Sequence, residues 1–325
     1  MRAFAKPKLV ISKCIEFESC RWNGLMISSD AVKLLKPFAE FTPVCPEMAI
    51  GLGIPRAPVR IVSAKGDLRL MQAETDLDLT DTMRGFVASF LNSIAGIDAF
   101  ILKERSPSCG TKTVKVYPDM GKAGPLHAHG AGFFGKAVMD RFPDTPIEDE
   151  GRLRNYDIRE HFLTRIFTLA AFREVRETLA MGRLVDFHAR NKLLLMAYSQ
   201  KELKNLGNIV ANRSRRKIGA VLDEYERGLR STLGAPPPPG PCANVLMHAL
   251  GYFSRNLSAR EKDFFLDALR QYRARRVPLS VPVAVIRSWI SRFDETYLAA
   301  QTFFSPFPEE LVVVSDSGKG RELWR

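Results

Sequence analysis

The sequence predicts an N-terminal α/β domain with a mostly parallel sheet flanked by helices, followed by an all-α C-terminal domain. Three observations predict it. Residues 1–152 alternate short apolar runs with helix-periodic stretches, the pattern of strands buried in a parallel sheet. Residues 153–325 keep apolar residues at three- and four-residue spacing, the pattern of packed helices. The charge divides at nearly the same place: residues 1–153 hold 20 Lys and Arg against 18 Asp and Glu, and residues 154–325 hold 28 against 18.

Taken in order, KLVIS (8–12) reads as a short buried strand and SSDAVKLLKPF (28–38) as a helix with Ser29 or Asp30 at its N-cap. EFTPV (40–44) is a second strand. VRIVS (59–63) and LRLMQ (68–72), joined by AKGD, read as a hairpin. TDTMRGFVASFLNSI (80–94) is a periodic helix with Gly96 as its stop, and IDAFIL (97–102) is the third core strand. KTVKVY (112–117) alternates with polar residues and reads as an excursion from the sheet. GPLHAHGAGFFGK (124–136) reads as a loop near the site or a helix start, continuing as a helix to 142, and TPIED (145–149) is a last strand. In the second half, GAPPPPGP (234–241) links helical segments, and the tail beyond Val314 reads as loose.

The chain has 325 residues, 46% hydrophobic and 26% charged, enough for a normal core and against global disorder. No run approaches the ~18 apolar residues of a membrane span, and the apolar run near the N-terminus is too short for a signal peptide. The expected location is the cytoplasm, with no membrane partner. The net charge of +12, concentrated in the second half, suits a polyanionic partner such as nucleic acid.

Five cysteines are present: Cys14, Cys20, Cys45, Cys109 and Cys242. In a reducing compartment these serve as metal ligands, catalytic groups or buried thiols. Three of them follow strands. KLVIS runs into Cys14, EFTPV into Cys45-Pro46-Glu47, and IDAFIL into Ser106-Pro107-Ser108-Cys109-Gly110. Sites in open α/β sheets form at the carboxyl edge. Thiols 31 and 64 residues apart can therefore meet there. Three thiolates suit a soft metal centre, either zinc or an iron–sulfur cluster with one iron left open. Cys20 is a further candidate ligand without a strand end of its own.

Read together, SKCIEF, RWNG, CPEMAIGLGIPR and LKERSPSCG resemble the thiouracil desulfurase domain. DFHARNKLLLMAYS, HALGYFSRNLSAREK and YRARRVPLSVP resemble the helical domain fused to it in prokaryotic tRNA 4-thiouridine desulfidases. The resemblance spans nearly the whole chain. Trp22 and Phe17 depart from the family pattern near the first cysteine. The resemblance implies a [4Fe–4S] cluster held by Cys14, Cys45 and Cys109, with Glu47 as the catalytic carboxylate and Ser106 as the catalytic serine. Ser108 is the alternative serine. It implies removal of the sulfur of 4-thiouridine in tRNA as hydrogen sulfide, without redox change, and action on free 4-thiouracil as well. A nucleic-acid-binding regulator with a cluster or zinc, and a desulfurase of free thiobases only, are the competing readings.

Gly51 and Gly53 are expected to pack closely near the cluster, with Arg56 contacting substrate. Arg213, Arg215, Arg216 and Lys217, with Arg273, Arg275 and Arg276, are the candidate tRNA-phosphate contacts. His188 and Lys192, four apart in DFHARNK, are expected on one helix face as further contacts. Tyr252 and Phe253 are candidates for base stacking or for the core.

Overall fold

The structure is a computed structural model and describes residues 3–64, 66–72, 74–121 and 124–312. β1 (Lys8–Ser12) is buried from its second residue on. α1 (Asp30–Leu35) buries Val32 and Leu35, then tightens into a 3-10 turn through Phe38. Pro37 has no N–H to extend the α ladder. After β2 (Glu40–Val44), α2 (Pro46–Ala49) begins directly behind Cys45, with Pro46 where a missing N–H costs nothing. β3 (Val59–Ala64) and β4 (Asp67–Gln72) form the expected hairpin, turned by Gly66 at φ +93°.

β5 (Leu77–Asp78) leads into α3 (Thr80–Ser93), where Asp78 accepts the N–H of Thr80 at 3.0 Å. Met83, Val87 and Leu91 recur every fourth residue and are buried, the single apolar stripe that makes this segment a helix. Then follow β6 (Ala99–Leu102), β7 (Val114–Tyr117), β8 (His127–Gly130), α4 (Phe133–Arg141), β9 (Ile147–Asp149) and α5 (Tyr156–Thr178).

Two sheets result. The first runs β2-β1-β6-β9 with every pair parallel. All four carboxyl ends therefore lie along one edge. The second runs β5-β4-β3-β7-β8, with β3 and β7 parallel and the other pairs antiparallel. This second sheet departs from expectation. KTVKVY is no excursion: Val114 and Val116 face the core, Lys115 faces out, and β7 pairs with β3. HAHG becomes a strand through its backbone bonds to β7, with no buried side chain. Pairing between segments distant in sequence decided both.

Val10, Ile61, Met83, Phe100, Phe134 and Val116 meet in one core cluster, each at most 1% exposed. Each such large side chain contributes roughly 1.5–3 kcal/mol by burial.

The chain divides into two compact units: residues up to Ala170 with the segment from Pro308, and Ala171–Phe307. The sequence reading placed the boundary at residues 152 and 153, where helical spacing begins. Residues 156–170 of α5 fall in the N-terminal unit instead, with Phe167 packed edge-on against Phe4 at 5.9 Å.

The second unit is helical: α6 (Met181–Arg190), α7 (Lys192–Tyr198), α8 (Gln200–Ala211), α9 (Ile218–Thr232), α10 (Pro239–Phe253), α11 (Ala259–Arg273), α12 (Ser280–Phe293) and α13 (Thr296–Ala300). The proline-rich segment links α9 to α10, as expected. Ser258 and Glu261 form a reciprocal capping box at the start of α11. Leu246, Phe253, Phe265, Ile286, Trp289 and Leu298 build the core. Among the described residues, no helix is long and apolar enough to cross a membrane. The tail beyond Val314 lies outside the described residues.

Candidate active site

β2, β1 and β6 are adjacent parallel strands, and each leads to a cysteine at the same edge. Cys45 follows β2 directly and Cys14 follows β1 by two residues. Cys109 sits on the turn beyond β6. Cys14 and Cys45 are partly exposed, and Cys109 is buried. Cys20, six residues beyond Cys14, is fully buried. The Cys45 Sγ is 4.0 Å from the Cys20 carbonyl oxygen. Cys242 is in the core of the helical unit.

Cys20, Cys45 and Cys109 resist ionisation. The Cys14 contact, with burial adding, pushes Cys20 up to about 11. The Cys20 contact and burial push Cys45 up strongly. Burial does the same to Cys109, opposed by side-chain hydrogen bonds from Ser12 and Ser106 that favour its thiolate. Among the described residues, no group of three or more His, Cys, Asp or Glu side chains is disposed to hold a metal ion.

Glu47, in the first turn of α2, is gripped from two sides. Its Oε1 accepts the Ser108 hydroxyl at 2.9 Å, and its Oε2 accepts Arg56 Nε at 2.7 Å. Arg56 Nη2 is also 2.7 Å from Oε2, and the two side chains are only 5% and 12% exposed. The same guanidinium donates to the carbonyls of Cys20 at 3.0 Å and Gly53 at 3.2 Å. Arg56, expected to contact substrate, thus holds a carboxylate and ties the Cys20 turn to the loop after α2.

The two serines of SPSCG have different surroundings. Ser106 Oγ accepts the N–H groups of Ser108 at 3.2 Å and Cys109 at 3.0 Å, fixing the turn. Ser108 is fully buried, and its hydroxyl meets Glu47. The turn is braced by α4. Phe134 and Gly135 donate to the Ser108 carbonyl at 2.9 and 3.1 Å, and Gly132 donates to Gly110 at 2.7 Å. A Cβ on Gly132 would stand 2.4 Å from the Ser108 carbonyl oxygen, and one on Gly135 equally close to that of Gly110. The helix start read from GAGFFGK is therefore confirmed, and its glycines allow backbone to press on backbone. Close packing is absent where it was expected: a Cβ at Gly51 or Gly53 would meet nothing within 4 Å, and Gly51 is needed for its φ of +89°.

Comparison with known proteins follows this geometry. Residues 9–150 match the model of the 2-thiouracil desulfurase family, and residues 192–308 match a family described as proteins of unknown function (DUF1722). The chain is 30% identical over 148 residues to the uncharacterized protein YbgA of Escherichia coli, covering 45% of this chain and 88% of that protein. It is 30% identical over 111 residues to the uncharacterized protein YbbK of Bacillus subtilis, covering 32% of this chain and 73% of that one. The chain belongs to the 2-thiouracil desulfurase family. A solved structure of the [4Fe-4S]-dependent thiouracil desulfidase TudS aligns at 27% identity and a TM-score of 0.36, covering 46% of this chain and 93% of that one.

The segment matched to the 2-thiouracil desulfurase family contains Cys14, Cys20, Cys45, Cys109, Glu47, Arg56, Ser106 and Ser108. It also contains three residues that sequence reasoning passed over. Ser12 accepts the N–H of Lys103 at 2.9 Å, and its hydroxyl opposes the upward shift of the Cys109 thiol. Gly132 and Gly135 brace the turn; their three-residue spacing on a helix start was the available signal. A groove of about 480 Å3, lined by Val87, Leu91 and Phe133 with Arg84, Asp140 and Arg141 at its rim, contains none of these groups.

In the helical unit, Arg213, Arg215, Arg216 and Lys217 are exposed on the turn between α8 and α9, and Arg273, Arg275 and Arg276 are exposed at and beyond the end of α11. Arg216 pairs with Glu224; the other six make no ion pair among the described residues. Arg213 and Arg216, with Asn208, Asn212 and Ser214, line a polar pocket of about 400 Å3. His188 and Lys192 do not share a helix. Asn191 ends α6, with its Nδ2 on the Phe187 carbonyl at 2.8 Å and its Oδ1 accepting the Thr302 hydroxyl at 2.8 Å. His188 instead bonds the buried Tyr225 hydroxyl at 3.0 Å, and burial, with Lys192 second, lowers its basicity. Phe253 is core, while Tyr252 is 52% exposed and stacks on Tyr297 at 5.6 Å.

Proposed function

We propose that this chain is a desulfidase that converts 4-thiouridine in tRNA to uridine, with a [4Fe–4S] cluster held by Cys14, Cys45 and Cys109. The observation that supports this reading is that three adjacent parallel strands each lead to a cysteine past one sheet edge, with Glu47 in the helix that begins behind the second. The donor set fits such a group. Soft thiols dominate it, two hydroxyls favour the thiolate of Cys109, and a thiolate so buried calls for a positive partner. Cys14, Cys45 and Cys109 would hold the cluster through their thiolates. When bound, the cluster supplies an open iron with Lewis acidity and affinity for sulfur.

The chain's own residues would do the rest. Arg56 holds Glu47 Oε2 and leaves Oε1 toward Ser108. Glu47 takes a proton from the water that adds to C4 and returns it to the departing sulfur. Ser108 orients that carboxylate, and Ser106, pinned by two N–H groups, keeps the Cys109 turn in place. The balance is thiouridine plus water to uridine plus hydrogen sulfide, with no electron transferred to or from the substrate. The same chemistry admits free 4-thiouracil.

A thiouridine within folded tRNA is stacked and must be exposed to react. The unpaired arginines of the helical unit and the pocket at Arg213 support tRNA as the partner through its phosphates. The test is anaerobic reconstitution with iron and sulfide, then incubation with tRNA containing 4-thiouridine. Near-ultraviolet absorbance reports the thiobase, and hydrogen sulfide is measured directly. Loss of the thiobase with wild-type protein but not with Cys109→Ala supports the proposal. An intact thiobase despite about four irons per chain overturns it in favour of a binding protein. Turnover of free thiouracil alone restricts the activity to free bases.

A further inference from the structure

The turn between Cys20 and Ile27 carries an apolar surface that the proposed chemistry does not use. Trp22, Leu25 and Met26 are all exposed on it. Exposed Ile54 joins them from the loop after α2, its Cγ2 lying 3.7 Å from where a Cβ on Gly24 would stand. Backbone bonds fix the turn. The Gly24 N–H reaches the Arg21 carbonyl at 2.9 Å, the Arg21 N–H reaches that of Leu25 at 3.3 Å, and the Ile27 N–H reaches that of Cys14 at 2.8 Å. The Trp22 carbonyl accepts the N–H of Arg56 at 2.9 Å, and the Arg56 side chain holds Glu47. Large apolar side chains gathered in water on a fixed backbone mark a contact surface. Arg21, next to Trp22, makes no ion pair among the described residues. An open aromatic ring beside an unpaired cation matches a nucleotide, the ring facing its base and the cation its phosphate.

We propose that Trp22 stacks on a nucleobase flanking the 4-thiouridine, with Arg21 on the adjoining phosphate. The inference rests on the reading of tRNA as the substrate. Depth decides which base the ring meets. The Glu47 side chain is only 12% exposed, so the reacting base must leave the RNA surface to reach it, whereas Trp22 stands 46% exposed in solvent. A base that turns out of its stack leaves its neighbour with one face uncovered. Trp22 covers that face and so offsets part of the stacking energy lost. The fixed turn holds the ring ready before the RNA arrives, and its tie to Arg56 sets it beside the carboxylate that the target base must reach.

The test uses full-length, cluster-loaded protein and two tRNAs, one with 4-thiouridine and one with uridine in its place. Trp22→Ala should raise the Kd of both about 5- to 100-fold, the range for losing one base–aromatic stack. Trp22→Phe keeps a ring and should restore most of the affinity. The uridine tRNA, which has no thiobase absorbance, should quench tryptophan fluorescence in wild-type protein and far less in Trp22→Phe. Arg21→Ala should lower the slope of log Kd against log salt by about one, and Trp22→Ala should leave that slope unchanged. A wild-type Kd in Trp22→Ala, or undiminished quenching in Trp22→Phe, overturns the proposal. An effect confined to the thiolated tRNA puts the ring on the target base and overturns the flanking contact. Self-association that Trp22→Ala abolishes, with tRNA affinity unchanged, gives the surface to a second copy of this chain instead. Wild-type protein that neither binds nor desulfurates tRNA refutes the tRNA reading itself, and this inference with it.

Discussion

Ser108 and Glu47, 61 residues apart, meet at 2.9 Å, the serine hydroxyl donating to Oε1 of the carboxylate. The bond joins the turn that carries Cys109 to the helix that begins behind Cys45. It makes Ser108, rather than Ser106, the serine that orients the carboxylate. Ser108→Ala should therefore lower kcat by about 10- to 100-fold, the range for losing a hydrogen bond to a charged group. Ser106→Ala should act mainly on stability, by about 1 kcal/mol, because its oxygen fixes two backbone N–H groups. Comparing kcat and denaturation midpoints for the two variants separates the roles.

Glu47→Gln keeps the size and the Arg56 contact of the side chain but removes its proton acceptor. Turnover of 4-thiouridine should fall by about 100-fold or more. Iron content and the cluster's visible absorption should stay at the wild-type level. A parallel loss of iron would show that Glu47 maintains the centre instead of acting in turnover.

Arg56→Ala leaves a mostly buried carboxylate without its ion partner and frees the Cys20 carbonyl. The cost should be about 3–5 kcal/mol in urea denaturation. Arg56→Lys should recover only part of it, because one ammonium cannot replace a guanidinium that reaches Glu47, Cys20 and Gly53 together.

Gly132→Ala should distort the Cys109 turn, since the new Cβ would lie 2.4 Å from a backbone oxygen that cannot swing aside. The expected readouts are reduced iron uptake and a lower melting temperature. Gly182→Ala, where a Cβ meets nothing within 4 Å, is the matched control and should change neither.

Glu160 gives a pH dependence. Burial pushes its carboxyl from 4.5 up to about 7. The folded state then binds the proton more tightly than the unfolded state does. Its contribution is fully present below pH 4.5 and is lost as pH rises through about 7. Glu160→Gln should flatten stability between those values, measured by denaturation at pH 5 and pH 8.

Much of this was legible along the chain. KLVIS and IDAFIL are apolar runs that suit buried parallel strands, EFTPV is an edge strand that buries only Val44, and each points to a cysteine because chain direction is part of the sequence. The sequence by itself determined the helical second half, the parallel sheet and the placing of Cys14, Cys45 and Cys109 past the carboxyl ends of three strands. These depend on local periodicity and on the common sense of parallel strands. Tertiary structure alone decided that β7 joins β3 and that Ser108 meets Glu47. It also decided that Arg56 faces a carboxylate. Those are contacts between segments with no periodic relation to each other. Their partners were fixed by the loops that returned after each strand and by the need of every buried charge and backbone donor to find a counterpart.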